Sequence, residues 1–431
     1  MNKLLFGFAN SMFQSSFAGD CGISNWTNSM DNKKVTLSHV QISHWINWKN
    51  DILKMKNDFN VTTYRISIEW SHIEPFKGKY DHDILMKYKE IAEYCLSLKI
   101  EPMFTLHHFT EPLWFGEMGG FENENNMEHF IEFCMYVYSN LHTVVKLWCT
   151  FNEPAVYAFM GYLLGQFPPH QMNLQKTLIV LKNLLCSHAE VYHKLKMIDE
   201  SCEIGLVHNV LIFKQLYMFD LVAYGLTEFL NPITNNLVID FLKTGKFSYV
   251  SNILGINVQC DITEHFMNIQ MNDFIGLNFY ANPVVGPNIT NIYGPTHFND
   301  QKMGDMFLPL DAKGFDDAID LVATLDIPIY ITEIGIAEIC QLDEFGKQND
   351  KLRKKFVIEY MNVIENKINS GVNIAGCYFW TFRDNYEWNQ NNKCFGFNDI
   401  NGNPKESCQL LKDIILINLL EYEDSAKCYE I

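Results

Sequence analysis

The sequence predicts a (β/α)8 barrel that forms a single domain over residues 1–431. Eight short apolar or β-branched runs recur along the chain, and stretches with helical periodicity lie between them. No linker or low-complexity tract interrupts this alternation, which is typical of a parallel sheet with crossover helices. An open, doubly wound sheet is the alternative. No glycine-rich phosphate loop follows the first run, however, and this disfavours a nucleotide-binding fold.

The eight runs are the predicted strands. They begin, in chain order, at Leu4 (LLFGFA), Thr63 (TYRISIEW), Glu101 (EPMFTLHH), Lys146 (KLWCTFNE), Glu203 (EIGLVHNV), Phe274 (FIGLNFYA), Pro328 (PIYITEIG) and Ala375 (AGCYFWTF). Helical patterns precede the third (HDILMKYKEIAEYCLSLK), the fourth (MEHFIEFCMYVYSNLH) and the eighth (KLRKKFVIEYMNVIENKINSG). The longer intervals after the fifth and sixth strands predict insertions at the rim of the barrel.

The composition excludes several classes of function. Of the 431 residues, 48% are hydrophobic and 14% aromatic, so the chain can form a large core. A net charge of −18 disfavours nucleic acid as a partner, because no basic surface is present to release counterions. The longest apolar runs fall short of the roughly 20 residues that a membrane span needs.

The cysteines and the N-terminal segment predict a cytoplasmic protein. Twelve cysteines lie without CxxC or Cys/His ligand spacing, which favours reduced thiols over disulfides or a zinc site. The first apolar run is brief and is followed by Asn10 and Gln14, so we interpret it as a strand rather than as a signal peptide. We expect no metal and no cofactor. The sequence makes no prediction of the oligomeric state.

Polar side chains lie where the predicted strands end, which is the face that carries the active site in a (β/α)8 barrel. They are Gln14, Arg65, His107, His108, Asn152, Glu153, Asn278, Tyr280, Glu333, Trp380, Glu387 and Trp388. A single glutamate or histidine at a strand end is more often structural. Together these side chains suit a polyhydroxylated ligand, since hydroxyls take several hydrogen bonds and the C–H faces of sugars pack on indole rings.

Two of these residues are carboxylates on opposite sides of the predicted barrel mouth. Glu153 ends the fourth strand, and Glu333 lies in the seventh. Cleavage of a glycosidic bond needs two carboxyl groups. One protonates the leaving oxygen, and the other attacks the anomeric carbon or activates water. The pair therefore indicates glycoside chemistry.

Several motifs resemble, in order, those of glycoside hydrolase family 1, the retaining β-glycosidases. They are YRISIEWSHIEP at Tyr64, LHHFTEPLWF at Leu106, TFNEP at Thr150, IGLNFY at Ile275, ITEIG at Ile331 and FWTFRDNYEW at Phe379. The resemblance covers most of the chain. It implies a cofactor-independent exo-β-glycosidase that acts on β-glucosides, β-galactosides or similar substrates through a covalent glycosyl-enzyme intermediate.

The resemblance also implies a role for each residue of the site. Glu153 would be the general acid/base and Glu333 the nucleophile. The residues that support the nucleophile would be Arg65, Tyr280 and Asn278, and those that bind substrate would be Gln14, His108, Asn152, Tyr280, Trp380, Glu387 and Trp388. The negative charge of Glu333 would raise the pKa of Glu153 and keep it protonated until the glycosyl ester forms.

Three stretches depart from the family pattern. Ile334 follows the nucleophile where the family usually has asparagine, and Gln14 is followed by Ser-Ser-Phe rather than by a Glu-Gly pair. Asp305, in KMGDMFLP, stands near the position of a tryptophan that lines the aglycone side in many members. These differences predict an intact glycone pocket and an altered leaving-group site.

Two other functions stay open. In a 6-phospho-β-glycosidase, Glu387 would repel the phosphate, and Phe395 stands where a phosphate-binding tyrosine is expected. A catalytically silent relative that binds a glycan or a protein would usually have lost one of its two carboxylates, whereas both are present here. A metal enzyme is disfavoured, because the histidines and glutamates form no HExxH pattern.

Overall fold

Eight parallel strands close into a barrel in the computed structural model of the chain, as the sequence predicts. The structure describes residues 4–16, 22–29, 43–263, 265–266, 270–285, 310–339, 350–388 and 393–428. The barrel strands are β1 (Leu5–Asn10), β2 (Thr63–Ser67), β3 (Glu101–His107), β4 (Leu147–Asn152), β5 (Glu203–Asn209), β6 (Phe274–Phe279), β7 (Ile329–Ile334) and β8 (Ile374–Phe379). Each strand pairs with the next along the chain, and β1 closes the barrel against β8.

Helices follow the strands and surround the barrel. Those described are α1 (Met12–Ser15), α2 (Asn25–Ser29), α3 (His44–Phe59), α4 (Trp70–Ile73), α5 (His82–Ser97), α6 (Leu113–Glu117), α7 (Met127–Leu141), α8 (Pro154–Ala158), α9 (Leu174–Ile198), α10 (Leu221–Asn231), α11 (Leu237–Thr244), α12 (Ala312–Ala323), α13 (Lys351–Asn369) and α14 (Ser407–Cys428). Short 3-10 turns span Gly120–Glu122 and Glu124–Asn126, and π-helical turns span Phe159–Leu163 and Pro232–Asn236. The helical patterns before β3, β4 and β8 correspond to α5, α7 and α13.

Local capping explains where several of these helices begin and end. The side chain of Asp81 accepts a hydrogen bond from the backbone N–H of Ile84 and so caps the start of α5. Asn173 caps the start of α9 in the same way. Helix α3 ends at Phe59. The next residue, Asn60, has a left-handed backbone (φ 56°), which is common just after the C-terminus of a helix.

The core has two layers because side chains alternate along each strand. One layer fills the inside of the barrel and includes Met103, Val207 and Phe274. The other lies between the barrel and the helices. Glycine is needed where strands approach closely inside the barrel: a Cβ at Gly205 would lie 2.5 Å from the backbone oxygen of Phe274.

Irregular pairing in β7 turns Glu333 towards the inside of the barrel. Ile331 packs in the outer layer, so strict alternation would place Glu333 there as well. The register of β7 against β6 shifts between Ile331 and Glu333, as at a β-bulge. Thr332 and Glu333 therefore both face inward, and Ile334 returns to the outer layer.

Strand β4 has a similar irregularity. Cys149 packs inside the barrel and Phe151 packs in the outer layer, although residues two positions apart in a regular strand lie on the same face. The register of β4 against β5 shifts between Cys149 and Asn152. A bulge therefore lies near the end of β4, which precedes Glu153, and near the end of β7, which contains Glu333. Each bulge changes the face on which the last side chains of its strand lie.

The described segments between β5 and β7 include further short strands. The strand Lys214–Gln215 pairs with Val284–Val285, and a hairpin joins Lys246–Ser251 to Ile256–Asp261. A third two-stranded sheet pairs Glu338–Ile339 with Lys393–Cys394. Asp305, predicted to lie on the aglycone side, falls outside the described residues.

The cysteines correct one expectation. Eight of those in the described part of the chain are free, but Cys394 is disulfide-bonded. Cys394 lies in a short antiparallel sheet opposite Glu338. The expectation of thiols alone was therefore wrong at this position. None of the described helices is long and apolar enough to cross a bilayer.

Candidate active site

Glu333 is held at both carboxylate oxygens. It lies near the C-terminal end of β7, faces the inside of the barrel and is 3% exposed. Nη1 of Arg65 donates to Oε1 over 2.6 Å, and the hydroxyl of Tyr280 donates to Oε2 over 2.7 Å. A cation and a hydroxyl at these distances fix the orientation of the carboxylate and compensate for its burial.

Arg65 reaches Glu333 from β2 and is itself fully engaged. Its Nε donates to the hydroxyl of Thr105 over 3.0 Å, and its Nη2 donates to Oδ1 of Asn152 over 2.8 Å. Burial is the largest single effect and acts to lower the pKa of Arg65. The charge of Glu333 and its hydrogen bond, together with Cys149 and Glu153, outweigh burial and raise the pKa above its ordinary value. The guanidinium is therefore a permanent positive charge beside Glu333.

Glu153 occupies a strained position at the junction of β4 and α8. Its backbone is left-handed (φ 50°, ψ 59°), which is uncommon for any residue other than glycine, asparagine or aspartate. Its N–H donates to the carbonyl of Val207 over 2.9 Å, and Pro154 begins the helix directly after it. The strained backbone directs the carboxyl group into the barrel mouth.

The carboxyl group of Glu153 has an environment unlike that of Glu333. Nδ2 of Asn278 donates to its Oε1 over 2.6 Å. Burial, and then the charge of Glu333, raise the pKa of Glu153 to about 8. At neutral pH, Glu153 is therefore mostly protonated and can donate a proton.

Two asparagines connect the carboxylates. Oδ1 of Asn152 accepts from Arg65 and also from Nδ2 of Asn278, over 2.8 and 3.1 Å. Oδ1 of Asn278 in turn accepts from Thr332, which fixes its amide orientation. A continuous set of hydrogen bonds thus runs from Glu333 through the arginine and both amides to Glu153.

His108 and two indoles form one wall of the site. The ring of His108 lies nearly parallel to those of Trp380 and Trp388, with centroids 6.1 Å away in each case. Nε2 of His108 lies 3.3 Å from Nδ2 of Asn152. Burial and the charge of Arg65 lower the pKa of His108 well below its usual range, so the ring is neutral. Its buried Nδ1 has no hydrogen-bond partner among the described residues.

Gln14 and Glu387 form a second polar cluster. Nε2 of Gln14 donates to Oε2 of Glu387 over 3.2 Å and to the carbonyl of Tyr386 over 3.0 Å, and the indole N–H of Trp380 approaches the same carboxylate oxygen at 3.4 Å. Burial raises the pKa of Glu387 to about 8. Within the described chain, Oε1 of Gln14 is buried without a partner. Unpaired buried polar atoms in a pocket are available to ligand hydroxyls.

The segment that carries Glu387 is anchored by charges that the sequence reasoning missed. Arg383 pairs with Asp51 on α3. Asp384 pairs with Lys405 over 2.8 Å and accepts the N–H of Gly396 over 2.7 Å. In the sequence, Arg383 and Asp384 are marked only by their position inside the motif FWTFRDNYEW. That position does not show that Asp51 and Lys405 are their partners.

The sequence and the fold of the chain are similar to those of known proteins. The chain matches the model of glycosyl hydrolase family 1 over residues 2–418. It belongs to that family. β-Glucosidase A of Acetivibrio thermocellus is 27% identical over 406 residues, covering 88% of each chain. The predicted family is therefore confirmed, and the protein is a β-glycosidase that acts on a carbohydrate substrate.

Solved structures of this family have the same fold. A β-glycosidase from Pyrococcus horikoshii is 29% identical, with a TM-score of 0.81 over 96% of this chain and 95% of the other. A family 1 β-glucosidase from Exiguobacterium antarcticum, 24% identical, has a TM-score of 0.84 over 97% and 99% of the two chains. At 24% identity, the similarity to the Exiguobacterium antarcticum structure shows the shared (β/α)8 fold alone.

The structure places Ile334 and Ser15, which belong to two of the three departures from the family 1 pattern, and it also places Phe395. The side chain of Ile334 is fully buried in the outer layer, so it does not face the pocket that Glu333 faces. Ser15 donates to the carbonyl of Ser11 over 2.8 Å, within the short helix α1. Phe395 packs against Tyr280, with ring centroids 5.8 Å apart.

Eleven of the twelve strand-end residues make the contacts described above or lie beside them, but His107 does not. Its ring is surrounded by Phe121, Phe130, Phe151 and Tyr157 in the outer layer, away from the carboxylates. Burial lowers its pKa to about 3. His107 was counted among the polar strand-end residues, but the resemblance gave it no role, and its aromatic surroundings indicate a structural one.

Proposed function

We propose that this family 1 enzyme is a retaining exo-β-glycosidase that hydrolyses β-glucosides, and β-galactosides or similar glycosides, through a covalent intermediate on Glu333. One observation carries the proposal: the two carboxyl groups have opposite environments. Arg65 and Tyr280 donate to Glu333, which suits a charged nucleophile, whereas the pKa of Glu153 is raised to about 8, which suits a proton donor.

In the first half of the reaction, Glu333 attacks the anomeric carbon while Glu153 transfers its proton to the leaving oxygen. The glycosyl ester that forms has no charge on the former carboxylate. The second cause of the raised pKa of Glu153 is thereby removed, and Glu153 can remain ionised. It then acts as the base that activates water, and the ester is hydrolysed with net retention.

The remaining residues bind the sugar. Gln14, His108 and Glu387 offer a carboxamide, a neutral imidazole and a carboxyl group to the glycone hydroxyls, and two of these have a buried polar atom that no described residue engages. The indoles of Trp380 and Trp388 offer faces for the C–H surface of the ring. Asn152, fixed by Arg65 and Asn278, would bind the 2-hydroxyl.

The preference for a glucoside rests on the relatives. The relatives from Acetivibrio thermocellus and Exiguobacterium antarcticum are described as β-glucosidases. Two observations count against the 6-phospho alternative. Glu387 presents a carboxyl group to the glycone, and Phe395, which has no hydroxyl, packs beside Tyr280. The silent alternative is disfavoured, because both carboxyl groups are present and Ile334, the departure next to Glu333, packs away from the pocket.

A panel of p-nitrophenyl glycosides tests the proposal. We expect turnover of the β-glucoside or β-galactoside, no turnover of the α-anomers, and weaker turnover of 6-phosphorylated forms. Early proton NMR spectra should show the β-sugar as the first product. Glu333→Gln should abolish turnover, while Glu69→Gln, a change at a buried carboxyl group outside the site, should retain it. An α-sugar as the first product would refute the retaining mechanism.

We also propose that the chain is a single barrel domain and that it resides in the cytoplasm. The closed barrel draws its strands from Leu5 to Phe379, which supports one folding unit. The eight free cysteines of the described chain support a reducing compartment, whereas the disulfide of Cys394 counts against one. A single cooperative unfolding transition and fractionation of the cells would test the two points separately.

A further inference from the structure

A pair of thiols lies outside the active site. Cys186 is on α9, and Cys260 is on the strand Ile256–Asp261 of the hairpin that follows α11. Their sulfur atoms are 3.5 Å apart, although the residues are 74 positions apart in the sequence. Both cysteines are free and only partly buried, so a small oxidant can reach them.

The other free cysteines of the described chain are in a different situation. All six are buried. Burial raises the pKa of the Cys95 thiol to about 12, and it has the same effect on Cys408. Because the thiolate is the reactive form of cysteine, these residues are poor targets for oxidation.

The surroundings of the pair favour a thiolate on Cys260. The contact with Cys186 lowers the pKa of Cys260 and raises that of Cys186. The positive charge of Lys182, which lies one turn before Cys186 on α9 and pairs with Glu124 over 2.9 Å, acts in the same direction on Cys260. A partly exposed thiolate beside a second thiol is the arrangement that redox-active dithiols share.

We propose that Cys186 and Cys260 are a redox-active pair that a hydroperoxide converts into a disulfide, which fastens the hairpin to α9. The sulfur atoms need to approach from 3.5 Å to about 2.05 Å, the length of an S–S bond. This pair is separate from the disulfide of Cys394, which lies in a different sheet.

The reaction balances in two steps. The Cys260 thiol first loses its proton to water. The thiolate attacks one oxygen of the hydroperoxide, the O–O bond breaks, and the departing oxygen takes up a proton, so the products are a sulfenic acid and an alcohol or water. The sulfur of Cys186 then attacks the sulfur of Cys260. An S–S bond forms, the S–O bond breaks, and the hydroxide leaves as water with the proton of Cys186. The two thiols lose two electrons in total, which the peroxide accepts.

The bond would join the insertion to a helix that supports the barrel. His188, two residues after Cys186 on α9, contacts the hydroxyl of Thr150 in β4 at 2.7 Å. Oxidation should therefore stabilise the protein against unfolding. It should leave the catalytic constants unchanged, since neither cysteine contacts a residue of the candidate site.

Peptide mass spectrometry of the intact protein tests the proposal. The folded enzyme is treated with a few equivalents of hydrogen peroxide, alkylated and digested without reduction. We expect a cross-linked peptide pair containing Cys186 and Cys260, while the buried Cys95 and Cys134 are recovered as alkylated thiols and serve as internal controls. The absence of that peptide pair, or sulfinic acid at Cys260 in its place, would overturn the proposal.

Thermal unfolding tests the proposed stabilisation. Closing a loop of this length should raise the midpoint by up to about 5 °C in the wild-type protein. Cys260→Ser and Cys186→Ser should show no rise under the same treatment, and dithiothreitol should reverse the rise in the wild-type protein only. A rise of equal size in both variants would exclude this pair as its cause, and no rise in a cross-linked wild-type protein would exclude the stabilisation.

Discussion

The raised pKa of Glu153 leads to a quantitative prediction for Glu333→Gln. Burial is the first cause of the shift to about 8, and the charge of Glu333 is the second. The amide removes the charge but keeps the shape of the side chain. The ionised form of Glu153 then becomes less unfavourable, so its pKa must fall. Arg65 retains its own charge in this variant and acts in the same direction.

Coulomb's law gives the size of the fall. Retaining glycosidases hold their carboxyl groups about 5 to 5.5 Å apart. At that separation, two unit charges interact with about 3 kcal/mol for an effective dielectric constant of about 20, which corresponds to about 2 pKa units. We therefore expect the pKa of Glu153 to fall from about 8 towards about 6. Because burial remains, it should stay above the ordinary value of 4.5.

Carbon-13 NMR of protein labelled at the glutamate carboxyl carbon measures this pKa directly. The signal of Glu153 is assigned from its loss in Glu153→Gln. Glu69→Gln is the matched control, since it changes another buried carboxyl group and should leave the titration of Glu153 unchanged. A pKa that stays near 8 in Glu333→Gln would refute the electrostatic coupling. A fall to 4.5 would refute the role of burial.

Four further results are expected. Glu153→Ala should slow alkyl β-glycosides by roughly 10²- to 10⁴-fold more than it slows a dinitrophenyl glycoside, which needs little protonation, and equal losses would contradict its role as the acid. In the wild-type enzyme, kcat/KM should decline as the pH rises through about 8, because the acid must carry its proton; Glu153→Ala should lose this alkaline limb. Tyr280→Phe removes the 2.7 Å hydrogen bond to Glu333 and should lower kcat/KM roughly 10- to 100-fold with an unchanged circular dichroism spectrum. Asp384→Asn leaves Lys405 buried without its 2.8 Å partner and should reduce the free energy of unfolding by about 3 to 5 kcal/mol in urea titrations, whereas a loss below about 1 kcal/mol would show that the pair is not needed.

Most of the fold could be predicted because the relevant signals are local. A strand that is buried on both faces consists of a short run of apolar residues, which is visible in the sequence. The structure has a barrel strand at each of the eight predicted runs. The helices begin where a capping side chain such as Asp81 or Asn173 stands before an amphipathic stretch. The alternation of the two then leaves few topologies open.

The partners of charged residues could not be predicted, because they come from distant parts of the chain. Arg383 and Asp51 are separated by hundreds of residues, and the residues around each give no indication that the other is its partner. The same holds for Cys186 and Cys260, whose contact depends on how the hairpin packs on α9.

The sequence by itself determined the barrel, the family and the two glutamates, since all of these depend on residue types in order along the chain. Only the tertiary structure decided which way those glutamates face. The bulge in β7 turns Glu333 inward and sends Ile334 into the outer layer, and the left-handed backbone of Glu153 turns it into the barrel mouth. A period-2 pattern cannot encode such a change, because one extra residue in a strand reverses the face of every residue after it.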